Sequence, residues 1–170
     1  MHWPIFSLIL FIAAVLQITA SRFFPFADHL IRPDILALVA LFFALYAPRR
    51  HTLLAAWIVG FTADLLSLGT PGAFAFSFGL LGLLSLWARQ FLFPDHPISR
   101  IVLAFGWTFF AHAFSFVVPC FLGRHSFDDL MPFLGTSFCI ALYTAALTPV
   151  YYLLARSKRW FTVPISTKRF

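Results

Sequence analysis

Glutamate is absent from this chain of 170 residues, and its six acids are all aspartates. Charged residues of any kind make up 11% and hydrophobic ones 61%. Soluble domains carry about 25% charged and 45–50% apolar residues. So few charges cannot cover a water-facing surface, which excludes an ordinary soluble domain. Only two cysteines are present, Cys120 and Cys139, too few for a disulfide framework. There is no His-Glu-x-x-His, Cys-x-x-Cys, Gly-x-Ser-x-Gly or phosphate-binding glycine loop. Each supplies a defined chemistry, respectively zinc, thiol, acyl and phosphate. Conventional enzyme chemistry, cofactors and a resident metal are therefore not expected. His125, Asp128 and Asp129 cluster, but at a spacing that specifies no metal.

Apolar runs are plentiful. Punctuation by Pro, Gly and charge divides them into six: Ile5–Ala20, Ile35–Ala47, Leu53–Leu68, Ala73–Phe93, Ile101–Leu122 and Leu130–Ala155. Most approach the ~20 residues that cross a bilayer as helix. The second is short, so it is tilted, extended at its ends or shielded by neighbours. The first lacks the basic start of a signal peptide, since Met1-His2-Trp3-Pro4 precedes it. It is expected to remain as a helix. The expected fold is an all-α integral membrane protein with six spans, one polytopic domain over 1–155 and a basic tail over 156–170.

Lys and Arg set the orientation, because cytoplasmic loops are enriched in them. The side holding both termini carries nine, among them Arg49, Arg50, Arg89 and Arg100, and the other carries Arg22, Arg32 and Arg124. Both termini are expected in the cytoplasm. The net charge of +6 then needs no nucleic acid. Anionic lipids attract such residues at the inner surface, by ~1 kcal/mol each, and the tail "RSKRWFTVPISTKRF" suits that role. Cys120 and Cys139 differ in depth by roughly 9–10 Å on helices five and six. Both are expected as unbonded core residues.

The polar residues inside the runs are few. Asp64 sits in the otherwise apolar stretch "IVGFTADLLSLGTPGAFAF". A carboxylate in a span costs ~2.5–3.5 kcal/mol at the centre, so Asp64 must face protein or water. Candidate partners at its depth are Gln17, Arg22, Arg32 and Ser67. His112 is the other candidate, about 8 Å deeper so that contact needs tilt, and on its own is expected as a satisfied core histidine. Asp34 opens the second helix, where a carboxylate caps free amides and suits the helix dipole. Gly69-Thr70-Pro71-Gly72 makes a tight turn between helices three and four. Gly60, Gly79, Gly82 and Gly106 are expected to let helices approach closely. Pro119 and Pro149 are expected to kink their helices. Loop one is expected to form an interfacial segment.

The stretch "RPDILALVALFFALYAPRRHTLLAAWIVGFTADLLSLGTPGAFAF" resembles the core of the bacterial rod shape-determining MreD family. The residues concerned are Arg32, Pro33 and Asp34, then Arg49 and Arg50, then Gly60, Asp64, Leu65, Leu66 and Ser67, then Gly69, Pro71 and Gly72. The resemblance implies a non-enzymatic inner-membrane component of the cell-elongation machinery. Its expected partner is a bitopic MreC-like protein, with MreB filaments, RodA and a penicillin-binding transpeptidase in the same assembly. Asp34, Asp64 and the Gly-Pro-Gly turn would then shape a contact surface. Two other readings remain. One is a substrate-binding subunit of an energy-coupling factor transporter, with Asp34, Asp64 and loop one as its pocket. The other is a proton-coupled transporter using Asp64 and His112.

Overall fold

A computed structural model describes residues 3–23, 32–67, 69–89, 97–123 and 130–157, excepting the side chains of 20–23, 88, 97 and 150–157. Loop one, the Asp95-His96 loop, the His125 cluster and the basic tail beyond residue 157 lie outside the described residues. Six helices appear in chain order: α1 (Trp3–Phe23), α2 (Ile35–Tyr46), α3 (Arg49–Leu66), α4 (Ala73–Ala88), α5 (Pro97–Phe121) and α6 (Leu130–Ser157). Each falls on one of the six apolar runs. α3 begins earlier than its run, because Pro48 suits the position before a helix and polar residues tolerate a first turn.

The organising element is α2. Every residue from Leu36 to Leu45 is buried, and α2 touches all five other helices. A helix of 12 residues is ~18 Å long, well under the ~30 Å of bilayer hydrocarbon. Its shortness is resolved by shielding: α2 is the core, and the other helices surround it. Phe6 of α1 meets Phe43 edge to face at 4.9 Å. Val59 of α3, Phe78 of α4 and Ala104, Trp107 and Ala111 of α5 complete the packing.

Outside this core the surface is apolar. Phe11, Trp57, Phe61, Leu65, Trp87, Val102 and Leu142 are all exposed. Water would penalise such a surface, whereas lipid does not. Ile98–Phe121 and Leu130–Pro149 are long and apolar enough to cross a membrane. Pro119 and Pro149 lie inside α5 and α6, which continue past them.

α3 and α4 form a close antiparallel pair because small residues line their seam. A Cβ placed on Gly60 would meet Ala75 Cα and the Phe74 carbonyl at 2.7 Å, and one on Gly82 would meet Ala56 Cβ at 2.9 Å. The Trp57 indole lies directly over Gly79, leaving no room for a methyl group. Gly106 departs from expectation, since a Cβ there meets nothing within 4 Å. It occupies a part of α5 that no neighbour approaches. Cys139 also departs, being exposed, while Cys120 is half-buried; both are free thiols. The phase of α6 turns Cys139 outward.

These contacts rank two substitutions. Gly60→Ala forces a methyl group into backbone, and overpacking costs about 1–3 kcal/mol. Gly106→Ala fills open space and exchanges glycine for a better helix former. Thermal unfolding in detergent is expected to show a lower midpoint for the first and an equal or higher one for the second. The reverse order would contradict the α3–α4 seam.

Candidate functional site

The site begins with how α2 ends. A helix leaves amides unpaired at its start and carbonyls unpaired at its finish. Burial in apolar surroundings makes each costly unless partnered. At the start, Asp34 is the cap: its Oδ1 accepts from the Ala37 amide at 2.9 Å. The Ile35 amide donates to Gln17 Oε1 of α1 at 2.8 Å. The Asp34 amide donates to Thr144 Oγ1 of α6 at 2.9 Å, and that hydroxyl donates onward to the Ile140 carbonyl. Asp34 Oδ2 lies 3.2 Å from His112 Nε2 of α5. Asp34 thus joins α2 to α5 and α6, and its neighbour Ile35 ties in α1.

The far end of α2 is closed by a residue the sequence did not single out. Arg89, just past α4, donates to the carbonyl of Ala44 from both Nε and Nη2, and to that of Ala47 from Nη1 at 2.8 Å. Its Nη2 also donates to Thr52 Oγ1 at 2.9 Å. A planar guanidinium with several fixed donors suits such a cluster, and a cation is favoured at a helix C-terminus. The only signal in sequence is an Arg inside the apolar run Ala73–Phe93.

Asp64 does the same work for α4. The residue before α4 is Gly72, at φ 89, a left-handed conformation that glycine adopts freely. Glycine has no side chain with which to cap the helix. Asp64 reaches across from α3 instead: Oδ1 accepts from the Phe74 amide and Oδ2 from the Ala75 amide, both at 2.9 Å. Gly60, one turn earlier, lets those two residues come close. This corrects the partners expected for Asp64. Gln17 goes to Ile35 and His112 goes to Asp34. Ser67 donates to the Asp64 backbone carbonyl, not to its carboxylate. The Arg22 side chain lies outside the described residues. The reason is helix rotation: α3 turns Asp64 toward the α4 terminus.

One cleft of about 320 Å³ is lined by residues that the two aspartates hold, Phe74 and His112. It lies at the end of the bundle that carries the α3–α4 turn. Ser67, Gly69 and Thr70 form its rim, Phe74, Phe116 and Phe133 its walls, and His112 and Ser115 its polar lining. The His112 ring meets Phe74 edge to face at 5.3 Å. Phe74 is held by Asp64 and His112 by Asp34, so the two networks touch at the cleft. Of the remaining candidates, Pro33 is buried beside Asp34, whereas Arg32 and Pro71 are exposed. Among the described residues, no group of three or more His, Cys or Asp side chains is placed to hold a metal ion.

Removing either cap strands buried groups, and each unsatisfied group costs about 1–3 kcal/mol. Asp64→Ala leaves two amides unpaired and is expected to cost about 2–4 kcal/mol. Asp64→Asn keeps one acceptor and should fall between that variant and wild type. Arg89→Met strands the α2 carbonyls and should cost at least as much. Thermal or denaturant unfolding in detergent gives the ranking. An Asp64→Ala protein as stable as wild type would remove the cap from this account.

No curated protein and no solved structure matches the chain. The rod shape-determining protein MreD family matches residues 1–158. The match spans every described helix, and gives no support to either transporter reading. It also agrees with the apolar exterior and with the two helices long enough to cross a bilayer. The chain belongs to the MreD family of rod shape-determining membrane proteins.

Proposed function

We propose that this protein is a non-enzymatic, multi-pass inner-membrane component of the cell-elongation complex. It pairs with a bitopic MreC-like protein and helps couple MreB filaments to peptidoglycan synthesis by RodA and a penicillin-binding transpeptidase. The observation that carries this reading is the family match over residues 1–158.

The geometry adds a place for the pairing. In the proposed topology all six helices cross the membrane as one domain over 1–155, with both termini in the cytoplasm. The α3–α4 turn then faces outward, and the cleft opens at the outer surface. A cleft held on two sides by buried aspartates is preorganised, which lowers the ordering cost of binding. Its aromatic walls suit an apolar segment of a partner. The inner side carries Arg49 and Arg50 and the basic tail over 156–170, placed to meet anionic lipids.

Affinity purification from the native membrane in mild detergent tests this. Wild type is expected to bring down an MreC-like protein. Asp64→Ala at equal expression should lose it, and so should Phe133→Ala, which removes a cleft wall. Recovery of an ATPase pair with a coupling subunit instead would sink the scaffold reading. Reporter fusions at each terminus check the topology, and a C-terminus outside the cytoplasm would overturn the orientation.

A further inference from the structure

We propose that the cleft recognises a basic side chain, the guanidinium of an arginine or the ammonium of a lysine, on the partner's segment. This rests on the partner-docking reading of the same cleft. What selects this chemistry is where the lining groups have committed their protons.

Ser67 Oγ donates to the Asp64 carbonyl at 3.1 Å. Ser115 Oγ donates to the His112 carbonyl at 2.7 Å. Each hydroxyl has one proton, and both are committed within the chain. What these residues can still offer is oxygen lone pairs. His112 follows the same pattern. Its Nε2 faces Asp34 Oδ2 at 3.2 Å, and Oδ1 of the same carboxylate already accepts from the Ala37 amide of α2. An ionised carboxylate only accepts, and a helix N-terminus favours that ionised form. Nε2 therefore carries a proton, and in the neutral imidazole Nδ1 is an acceptor. Nδ1 has no hydrogen-bond partner among the described residues and is not sealed off from solvent.

Three acceptors therefore belong to the residues that line the cleft. Most donors that might have favoured an anion are occupied, leaving the Gly69 and Thr70 amides on the rim. The start of α4 borders the cleft, and helix N-termini attract anions. Here the Phe74 and Ala75 amides are taken by Asp64, and the Ala73 amide by the Thr70 carbonyl. Thr70 alone brings a hydroxyl that can turn either way. The walls Phe74, Phe116 and Phe133 are aromatic, with Phe116 and Phe133 packed on one another at 4.7 Å. Among the described residues no lysine, arginine or carboxylate lines the cleft, and the carboxylates directly behind its lining are Asp34, one imidazole away, and Asp64, bonded to the Phe74 amide. The three side-chain acceptors and the two buried carboxylates behind them select the same chemistry.

The test uses the full chain in nanodiscs of zwitterionic lipid, with histidine labelled in 13C and 15N. The spectrum is expected to show His112 protonated at Nε2, identified by its loss in His112→Gln. Two isosteric probes are then titrated, n-butylguanidinium and pentanoate. The guanidinium should move the His112 Nδ1 signal and saturate at a concentration about tenfold lower than pentanoate. His112→Gln keeps a donor toward Asp34 and loses the Nδ1 acceptor, so the preference should vanish. Ser67→Ala lies off the Asp34 network and should reduce the preference about threefold, which keeps the test open if His112→Gln misfolds. A proton on Nδ1, or pentanoate binding as tightly as the guanidinium, would overturn the proposal. Partner capture by Phe133→Ala separates the two claims. Lost capture with no cation preference refutes the basic-side-chain proposal alone. Intact capture beside a clear cation preference refutes the docking reading and leaves the cation site standing.

Discussion

A helix buried on every side must have its ends closed by other parts of the protein. α2 is such a helix, and the rest of the bundle is arranged by that requirement. Water or lipid headgroups satisfy helix ends that reach the surface, but Asp34 and Ala47, at the two ends of α2, are buried in the bundle. Each of its orphan groups would cost free energy comparable to a lost hydrogen bond. Asp34, Gln17 and Thr144 close one end, and Arg89 and Thr52 the other. The charges match the helix dipole, negative at the amide end and positive at the carbonyl end. Because these groups come from α1, α3, α6 and the end of α4, closing α2 also fixes the helices around it.

The α3–α4 pair solves a second version of the same problem. Its turn needs a left-handed residue, which glycine supplies, yet a glycine leaves the next helix without a capping side chain. Asp64 provides that cap from the opposite helix, and Gly60 permits the approach. The cap therefore depends on the seam, and the seam on the cap. This accounts for a carboxylate in an apolar run without assigning it to transport. Its two oxygens are already occupied by amides, whereas a carrier's carboxylate must release its partners.

Local features of this architecture were legible in the sequence, and features set by helix rotation were not. Pro, Gly and charge marked all six helices because they act on the backbone where they stand. The Asp34 cap was legible because its acceptor and donor are three residues apart. The shortness of α2 was visible, and shielding was one of its possible meanings. Asp64 was readable as a residue that avoids lipid. Its partners were not, because ten residues and a turn intervene and the rotation of α3 decides what it faces. Arg89 contacts residues 37 to 46 positions away, which no local pattern encodes. The same ignorance of rotation placed Cys139 inside and gave Gly106 a neighbour it lacks.

The two acid networks meet only through side chains at the cleft. Asp64 holds the first turn of α4 and so places Phe74. Asp34 orients the imidazole of His112. Phe74 and His112 touch, so a shift of α4 against α3 moves one cleft wall, and a shift of α5 against α2 moves the group beside it. A surface built this way has one arrangement while both caps hold, and loses it when either is released. That behaviour suits a scaffold whose contribution is a fixed shape. It also separates the two aspartates by consequence. Loss of Asp64 displaces a wall and leaves the imidazole oriented. Loss of Asp34 frees the imidazole and opens the buried helix at its start. The cleft is thus the one described place where the stability of α2 and the geometry of a contact surface depend on the same atoms.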